Sequence, residues 1–290
     1  MWLLLSLATA LMFGLRGIVY QWSANKAADR RRLFLLGIYT TGTLVAATAS
    51  LVDGKAWSLE CLFGIALGFT SVMGNSAMYR GMAVGSPSVV AVMTSLSPLI
   101  VVAGGYSLLG ESLKGPQWAT LVLIIAGVVL VRIAARSDKK GLQSLKWGLL
   151  AMLAFGINDL LSKKAVTSGA LSHQLLAVSF FTGTLLLLIQ WRLQVRSNGR
   201  SLDSERRTLW SATQTIGYGL GAGTINAIGL FLLLAAFQTG LAALVSAISS
   251  AGVILVVLYS RLFLGERLSA PAAAGITLVF CGIILLRLLS

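Results

Sequence analysis

The chain has 290 residues, of which 57% are hydrophobic and 11% are charged. Soluble domains carry about 25% charged residues, so this composition excludes an ordinary globular protein and favours a chain that lies in a lipid bilayer. The net charge of +14 would suit nucleic-acid binding in a soluble protein. Here the basic residues stand between long apolar runs, and we expect no nucleic-acid partner.

Ten apolar runs follow one another, each about long enough to cross the hydrocarbon core as a helix. They cover residues 2–20, 33–52, 59–80, 86–109, 117–135, 146–163, 172–191, 211–236, 240–263 and 271–289. We therefore predict an all-α integral membrane protein of about ten transmembrane helices. The single histidine, His173, and the two cysteines, Cys61 and Cys281, form no metal or disulfide pattern. We expect no cofactor, no metal and no enzyme activity.

The basic residues are unevenly distributed over the connections. Seventeen of them lie in the odd-numbered connections, and five lie in the even-numbered connections and at the C-terminus. The positive-inside rule places the odd-numbered connections in the cytoplasm, so that both termini would lie outside.

The sequence also repeats itself at an offset of 155 residues. Leu109-Gly110-Glu111 recurs as Leu264-Gly265-Glu266, and Gly64, Gly68, Pro116 and Gly127 recur as Gly219, Gly223, Pro271 and Gly282. Each half holds five runs, so the second half must enter the membrane from the opposite side. We predict two inverted five-helix repeats, residues 1–135 and 146–290, joined by a basic linker at 136–145. Inverted repeats are typical of secondary transporters, whose substrate site lies between the halves near the bilayer midplane.

Residues 77–82, 95–98, 110–113 and 264–268, with Gly127 and Gly282, resemble the EamA domain of the drug/metabolite transporter superfamily. The resemblance covers the chain as two copies. It implies a multi-pass carrier or exporter of small metabolites, amino acids among them, in the cytoplasmic membrane. It also implies termini in the cytoplasm, against the charge distribution, so the orientation stays open. Because Gly252 and Val253 replace Ser97 and Pro98 in the second half, we expect only the fourth helix to be broken.

Asp159 and Arg16 are charged residues within predicted spans. Asp159 is the only acidic residue well inside a span, and burying it in the bilayer costs about 2.5–3.5 kcal/mol. It should therefore face a cavity or a partner, where it could bind a cation or carry a coupling proton. Alternatively it lies at the interface and pairs with Lys163, four residues on. Arg16, in the first span, is expected to extend its head to the far interface.

Several uncharged polar residues are candidates for substrate binding. Asn226 corresponds in the repeat to Ser71, one helical turn from Asn75, so both amides should lie at related depths. Interhelical hydrogen bonding is the alternative role. Pro98 cannot donate to the carbonyl of Thr94, which creates a polar notch that contacts substrate, acts as a hinge or is a plain kink. The full set of predicted substrate-binding residues is Asn75, Tyr79, Thr94, Ser95, Ser97, Asn158 and Asn226.

Other repeated residues are expected to be structural. Glu111 and Glu266 precede Pro116 and Pro271, so each carboxylate should favour the positive N-terminus of the helix that follows. Gly64, Gly68, Gly219 and Gly223 are spaced for close packing, which we expect between the third and eighth helices.

The predicted function is secondary transport of a small polar metabolite, an amino acid or a similar compound, by alternating access in the export direction. No phosphate-binding loop is present to couple transport to ATP. The expected partners are this substrate and the lipid bilayer, and the chain is expected to act as a monomer or homodimer. The alternative is a membrane sensor or regulatory subunit that transports nothing.

Overall fold

The computed structural model describes residues 1–24, 30–84, 90, 93–134, 141–197, 210–252, 254–255, 258–259, 262 and 270–289. Within them it forms ten α-helices of eight residues or more and no strand. A short 3-10 helix, Leu59–Leu62, leads directly into the third helix. The ten helices are α1 (Trp2–Ala24), α2 (Arg31–Asp53), α3 (Phe63–Val84), α4 (Ser97–Leu109), α5 (Gly115–Ala134), α6 (Gly141–Thr167), α7 (Ser172–Ser197), α8 (Ala212–Thr239), α9 (Ala242–Ser250) and α10 (Ala270–Leu289).

These helices coincide with the ten apolar runs, which confirms the predicted all-α membrane class. Six of them, α1, α2, α3, α6, α7 and α8, are long and apolar enough to cross a bilayer. Shorter apolar helices cover Met93–Leu109, Gly115–Leu130 and Ala273–Leu285. The face at which α1 begins is called the N-terminal face below; because successive helices alternate in direction, α6 ends there and α9 begins there.

The fourth and ninth spans are broken at matching positions, so the expectation that only the fourth would break is wrong. Residues 93–95 are helical and the helix is interrupted at Leu96, where the amide of Leu99 donates to the Leu96 carbonyl. Pro98 lies in the first turn of α4. In the second half α9 ends at Ser250, followed by a turn at Ala251 and Gly252. Leu96 and Ala251 are 155 residues apart.

Gly252 accounts for the second break without a proline. A Cβ on Gly252 would overlap the carbonyl oxygen of Ala10 and lie 2.9 Å from the amide nitrogen of Gly14. Only glycine lets the backbone of the ninth span touch α1 so closely. The same local break is therefore produced by proline in one half and by a backbone-to-backbone contact in the other.

The two halves exchange their first helices. Helix α1 packs against α8 and α9 of the second half, whereas α6 packs against α3 and α4 of the first. The contacts are reciprocal: Gly229 lies against the Phe13 ring and Gly74 against the Phe155 ring. Likewise Gly14 meets Leu255 and Gly156 meets Ile100. Each of these contacts has its repeat partner in the other half, as two inverted repeats require.

The pseudo-twofold axis passes between Tyr39 on α2 and Phe180 on α7. These two rings contact each other edge to face, with centroids 5.9 Å apart. They occupy equivalent positions, since Gly42 lies against the Phe180 ring and Gly183 against the Tyr39 ring. Helices α5 and α10 also pair across the halves.

The repeated glycines do pack helices closely, but between other helices than expected. Gly64 and Gly68 on α3 lie against α7, where a Cβ on Gly64 would be 2.6 Å from the Leu175 carbonyl oxygen. Gly219 and Gly223 on α8 lie against Phe34, Gly37 and Ile38 of α2 in the same way. The predicted packing of α3 on α8 through these glycines is therefore wrong: each of the two helices packs on the second helix of the opposite repeat.

A polar cluster between the two halves

Arg16 lies inside the helix bundle. Its Nη1 donates a 2.7 Å hydrogen bond to Oδ1 of Asn226, which lies in the middle of α8. Its guanidinium carbon stands 4.4 Å from the Phe13 ring centroid and 5.5 Å from that of Tyr20. The expectation that this side chain reaches for the far interface is wrong, because a hydrogen bond and two aromatic faces hold the cation at the level of Asn226.

Asn75 on α3 belongs to a second group of polar atoms. Its Nδ2 donates to the carbonyl of Ser71 at 2.9 Å and to Oη of Tyr39 at 3.1 Å. The Tyr39 hydroxyl is in turn 2.6 Å from Oγ of Ser71. Only the amide nitrogen can donate to the Ser71 carbonyl, so the orientation of the Asn75 amide is fixed. Its Oδ1 is buried and has no hydrogen-bond partner in the described residues.

Two tyrosines connect the two groups. The rings of Tyr20 on α1 and Tyr79 on α3 have centroids 5.3 Å apart. Arg16 precedes Tyr20 by one helical turn, and Asn75 precedes Tyr79 by one turn. We call this set the central cluster; it consists of Arg16, Tyr20, Tyr39, Ser71, Asn75, Tyr79 and Asn226.

Three members of the central cluster have no polar counterpart in the second half. In the second half the positions equivalent to Tyr39, Asn75 and Tyr79 are occupied by apolar residues, namely Phe180, Leu230 and Leu234. The same fold is therefore built in that half without these polar groups. Since buried polar atoms stabilise a helix bundle only when they are fully paired, the fold alone does not account for their presence in the first half.

Asp159 and Asn158 on α6 make contacts of their own. Oγ of Ser246 on α9 donates to Asp159 at 2.5 Å. Nδ2 of Asn158 donates to the Leu67 carbonyl at 2.9 Å and to Oγ1 of Thr70 at 2.8 Å, both on α3. Asn158 thus links the two halves, and it occupies the position equivalent to Arg16. Because its amide nitrogen makes these hydrogen bonds, only Oδ1 of Asn158 is left to bind a substrate. Its role in substrate binding stays a prediction.

Lys163 does not pair with Asp159, as one alternative supposed, but with Glu111. Its Nζ lies 3.2 Å from Oε1 of Glu111 and donates to the carbonyls of Phe237 at 2.6 Å and Gly240 at 2.8 Å. These are carbonyls at the C-terminal end of α8, which otherwise lack donors. The Lys163 residue is only 7% exposed.

Glu111 caps a different helix from the one that we predicted. Its Oε2 accepts a 2.8 Å hydrogen bond from the amide of Ala242, at the start of α9 and not of α5. Gly110 ends α4 at a φ of 65°, and the amide of Glu111 then bonds the Gly105 carbonyl. Only glycine adopts this left-handed conformation readily. The Gly-Glu pair therefore ends one helix and sends a carboxylate across to the other half; Glu266, its repeat partner, lies outside the described residues.

The remaining predicted residues lie at the break in the fourth span. Ser95, Ser97 and Pro98 are buried, and Thr94 is half-buried. They are not part of the central cluster, and their role in substrate binding stays a prediction. Sequence reasoning placed Asn75, Tyr79 and Asn226 as candidates but omitted Arg16, Tyr20 and Tyr39 from the site. The four-residue spacing of Arg16 and Tyr20, which repeats that of Asn75 and Tyr79, was a usable signal.

Ten helices in two inverted halves, with a polar cluster between them, define a polytopic membrane protein with the architecture of secondary transporters. The chain belongs to the EamA-like transporter family, whose model matches residues 1–133 and 143–288. A solved structure described only as the crystal structure of a protein is 16% identical, with a TM-score of 0.75 over 99% of this chain and 96% of the other. At that identity the likeness shows a shared fold alone. No curated protein matches the chain.

Proposed function

We propose that this protein is a secondary transporter that moves a small polar metabolite across the cytoplasmic membrane by alternating access, in the export direction. The carrying observation is the central cluster, in which the buried polar side chains of Tyr39, Asn75 and Tyr79 stand where the second half has apolar side chains. The fold does not require these polar side chains. They lie where the two halves meet, which is where inverted-repeat transporters bind a polar solute.

The packing of the halves supports alternating access. Helices α1 and α6 each lie in the opposite half, so neither half can rotate without displacing a helix that lines the other. The breaks at Leu96 and Ala251 lie at matching positions and interrupt the regular backbone hydrogen bonding of the fourth and ninth spans. Broken helices are frequent hinge and binding elements in transporters built from inverted repeats.

Counterflow in proteoliposomes tests the proposal. Purified protein is reconstituted into vesicles loaded with millimolar unlabelled amino acids, 2-oxo acids, hydroxy acids, sugars or nucleosides, and entry of the same labelled solute is followed. We expect saturable counterflow for at least one class and none in protein-free vesicles. If folded, reconstituted protein shows neither counterflow nor binding for any class, transport is refuted and a sensor or regulatory subunit takes its place.

A further inference from the structure

We propose that Arg16 is the anion-binding residue of this transporter, and that the substrate is a small carboxylic acid with a hydrogen-bond donor next to its carboxylate, as in amino and hydroxy acids. The inference rests on the proposed function and adds the substrate class to it. It is carried by a guanidinium on α1 and an amide oxygen on α3 that has no hydrogen-bond partner in the described residues; the two helices meet through the rings of Tyr20 and Tyr79.

Arg16 supplies a positive charge that the described part of the protein does not balance. Of its acidic residues, Asp53 pairs with Lys55 and His173, Glu111 with Lys163, and Asp159 accepts from Ser246. Glu60, in the 3-10 helix before α3, makes no ion pair with any described residue. Among the described residues, the Arg16 guanidinium is met only by a neutral amide and two aromatic faces. A planar guanidinium held in this way is suited to bind a carboxylate through two parallel hydrogen bonds.

The second group needed for such a substrate lies at the same depth. Helices α1 and α3 run in the same direction, and they meet through the rings of Tyr20 and Tyr79. Arg16 and Asn75 each lie four residues before these rings, which is about 6 Å along the helix axis. The two side chains are therefore level with each other across the gap that the tyrosines bridge.

Asn75 offers an acceptor where Arg16 offers donors. Its amide nitrogen is bonded to Ser71 and Tyr39, which leaves Oδ1 buried without a donor in the described residues. Asn75 is 5% exposed, and a buried acceptor that lacks a donor is costly. An ammonium or hydroxyl group beside a carboxylate supplies this donor, while the carboxylate itself binds Arg16.

The second half shows that this pairing is not part of the fold. The positions equivalent to Arg16 and Asn75 are Asn158 and Leu230. The amide nitrogen of Asn158 donates hydrogen bonds to α3, and Leu230 packs against the hydrophobic core. At these two pairs of equivalent positions, the charge and the unpaired acceptor thus belong to the first half.

The test compares matched ligands on matched variants. Binding of L-leucine, L-leucinamide, 4-methyl-2-oxopentanoate and the corresponding 2-hydroxy acid is measured by calorimetry on the detergent-purified protein, and a panel of other amino acids and their amides follows. The amide removes the carboxylate, and the 2-oxo acid removes the donor. A hydrogen bond to a charged group corresponds to roughly a 10- to 100-fold change in affinity, so we expect each acid to bind at least 10-fold more tightly than its amide.

The variants separate the charge from the fold. R16Q should lose this preference for the acid, and R16K should keep part of it. N226D keeps the helix packing but gives the guanidinium an internal carboxylate, so it should weaken acid binding at least 10-fold while its melting temperature stays equal or rises. R80Q is the charge-matched control, because Arg80 lies over the Trp147 ring at the end of α3, and it should bind as the wild type does.

The outcomes are distinct for the two proposals. If folded R16Q and N226D bind acids as tightly as the wild type, or if amides bind as well as acids, the assignment of Arg16 is refuted while transport stands. If the wild type transports only sugars, nucleosides or cations, the substrate class is likewise refuted. If the wild type neither binds nor moves any solute in the counterflow panel, the proposed function fails and this inference with it.

Discussion

The ion pair of Glu111 and Lys163 ties the two halves together at the N-terminal face, and its removal yields a quantitative prediction. Glu111 follows α4 in the first half, whereas Lys163 and Ala242, its two partners, belong to the second. The side chains are 9% exposed for Lys163 and 15% for Glu111. Burial at this level makes the pair far more sensitive to the loss of one member than a surface ion pair would be.

E111Q should destabilise the protein by about 3 kcal/mol, because it leaves a buried ammonium with carbonyl oxygens as its only partners. At roughly 2–4 °C per kcal/mol this lowers the melting temperature by about 6–12 °C. K163M should cost less, about 1–2 kcal/mol, because Glu111 keeps its hydrogen bond to the Ala242 amide. In the double variant the loss should be close to that of K163M alone, so the coupling free energy should be about 3 kcal/mol, the whole of the E111Q loss.

The assay is thermal unfolding of the detergent-purified protein, followed by tryptophan fluorescence. K164M is the matched control, because Lys164 is the adjacent residue and is exposed, and it should change stability by no more than about 0.5 kcal/mol. Strictly additive losses in E111Q and K163M would show that the two side chains do not interact. An E111Q variant as stable as K164M would refute the buried link altogether.

Three further substitutions are predicted together. G252A should lower stability by about 1–3 kcal/mol in the same melting assay, because its Cβ overlaps the Ala10 carbonyl. The control G221A should not lower stability, because a Cβ at that position meets nothing within 4 Å. Equal losses in the two variants would contradict the close contact at Gly252. Y39F places a phenylalanine on both sides of the axis pair Tyr39–Phe180, so its free energy of unfolding should stay within about 1 kcal/mol of that of the wild type. Its substrate affinity should change at least 3-fold, and an unchanged affinity would show that Tyr39 is not part of the site. D159N should abolish proton-driven transport in vesicles but leave counterflow within 2-fold if Asp159 carries the coupling proton, and intact proton-driven transport would exclude that role.

Much of the fold could be predicted because its causes are local. Span length and apolar composition determine each helix, and the 155-residue offset aligns the last three helices of the two halves. The first helices follow a different offset, since Phe13 and Phe155 are 142 residues apart. A single register therefore did not reveal that Arg16 and Asn158 are equivalent. The exchange of α1 and α6 between the halves is a matter of packing, and no local pattern encodes it.

The site was harder to predict for the same reason. Asn75, Tyr79 and Asn226 were recognised from their polarity within apolar runs, but their partners come from other helices. Glu111 lies 131 residues from the amide that it caps, and Arg16 lies 210 residues from Asn226. The break at Gly252 went unpredicted because its cause is the backbone of α1 and not a residue of its own helix.

Alternating access is the central claim, and the accessibility of one cysteine tests it most directly. Cys61 and Cys281 are replaced by alanine, and Ser71, beside Asn75 in the central cluster, becomes the single cysteine (S71C) in protein reconstituted in one orientation. A small membrane-impermeant thiol reagent is then applied from either face, with and without substrate. We predict labelling from both faces and protection by substrate on both. Labelling from one face alone, unchanged by every solute that the protein binds, would contradict the account.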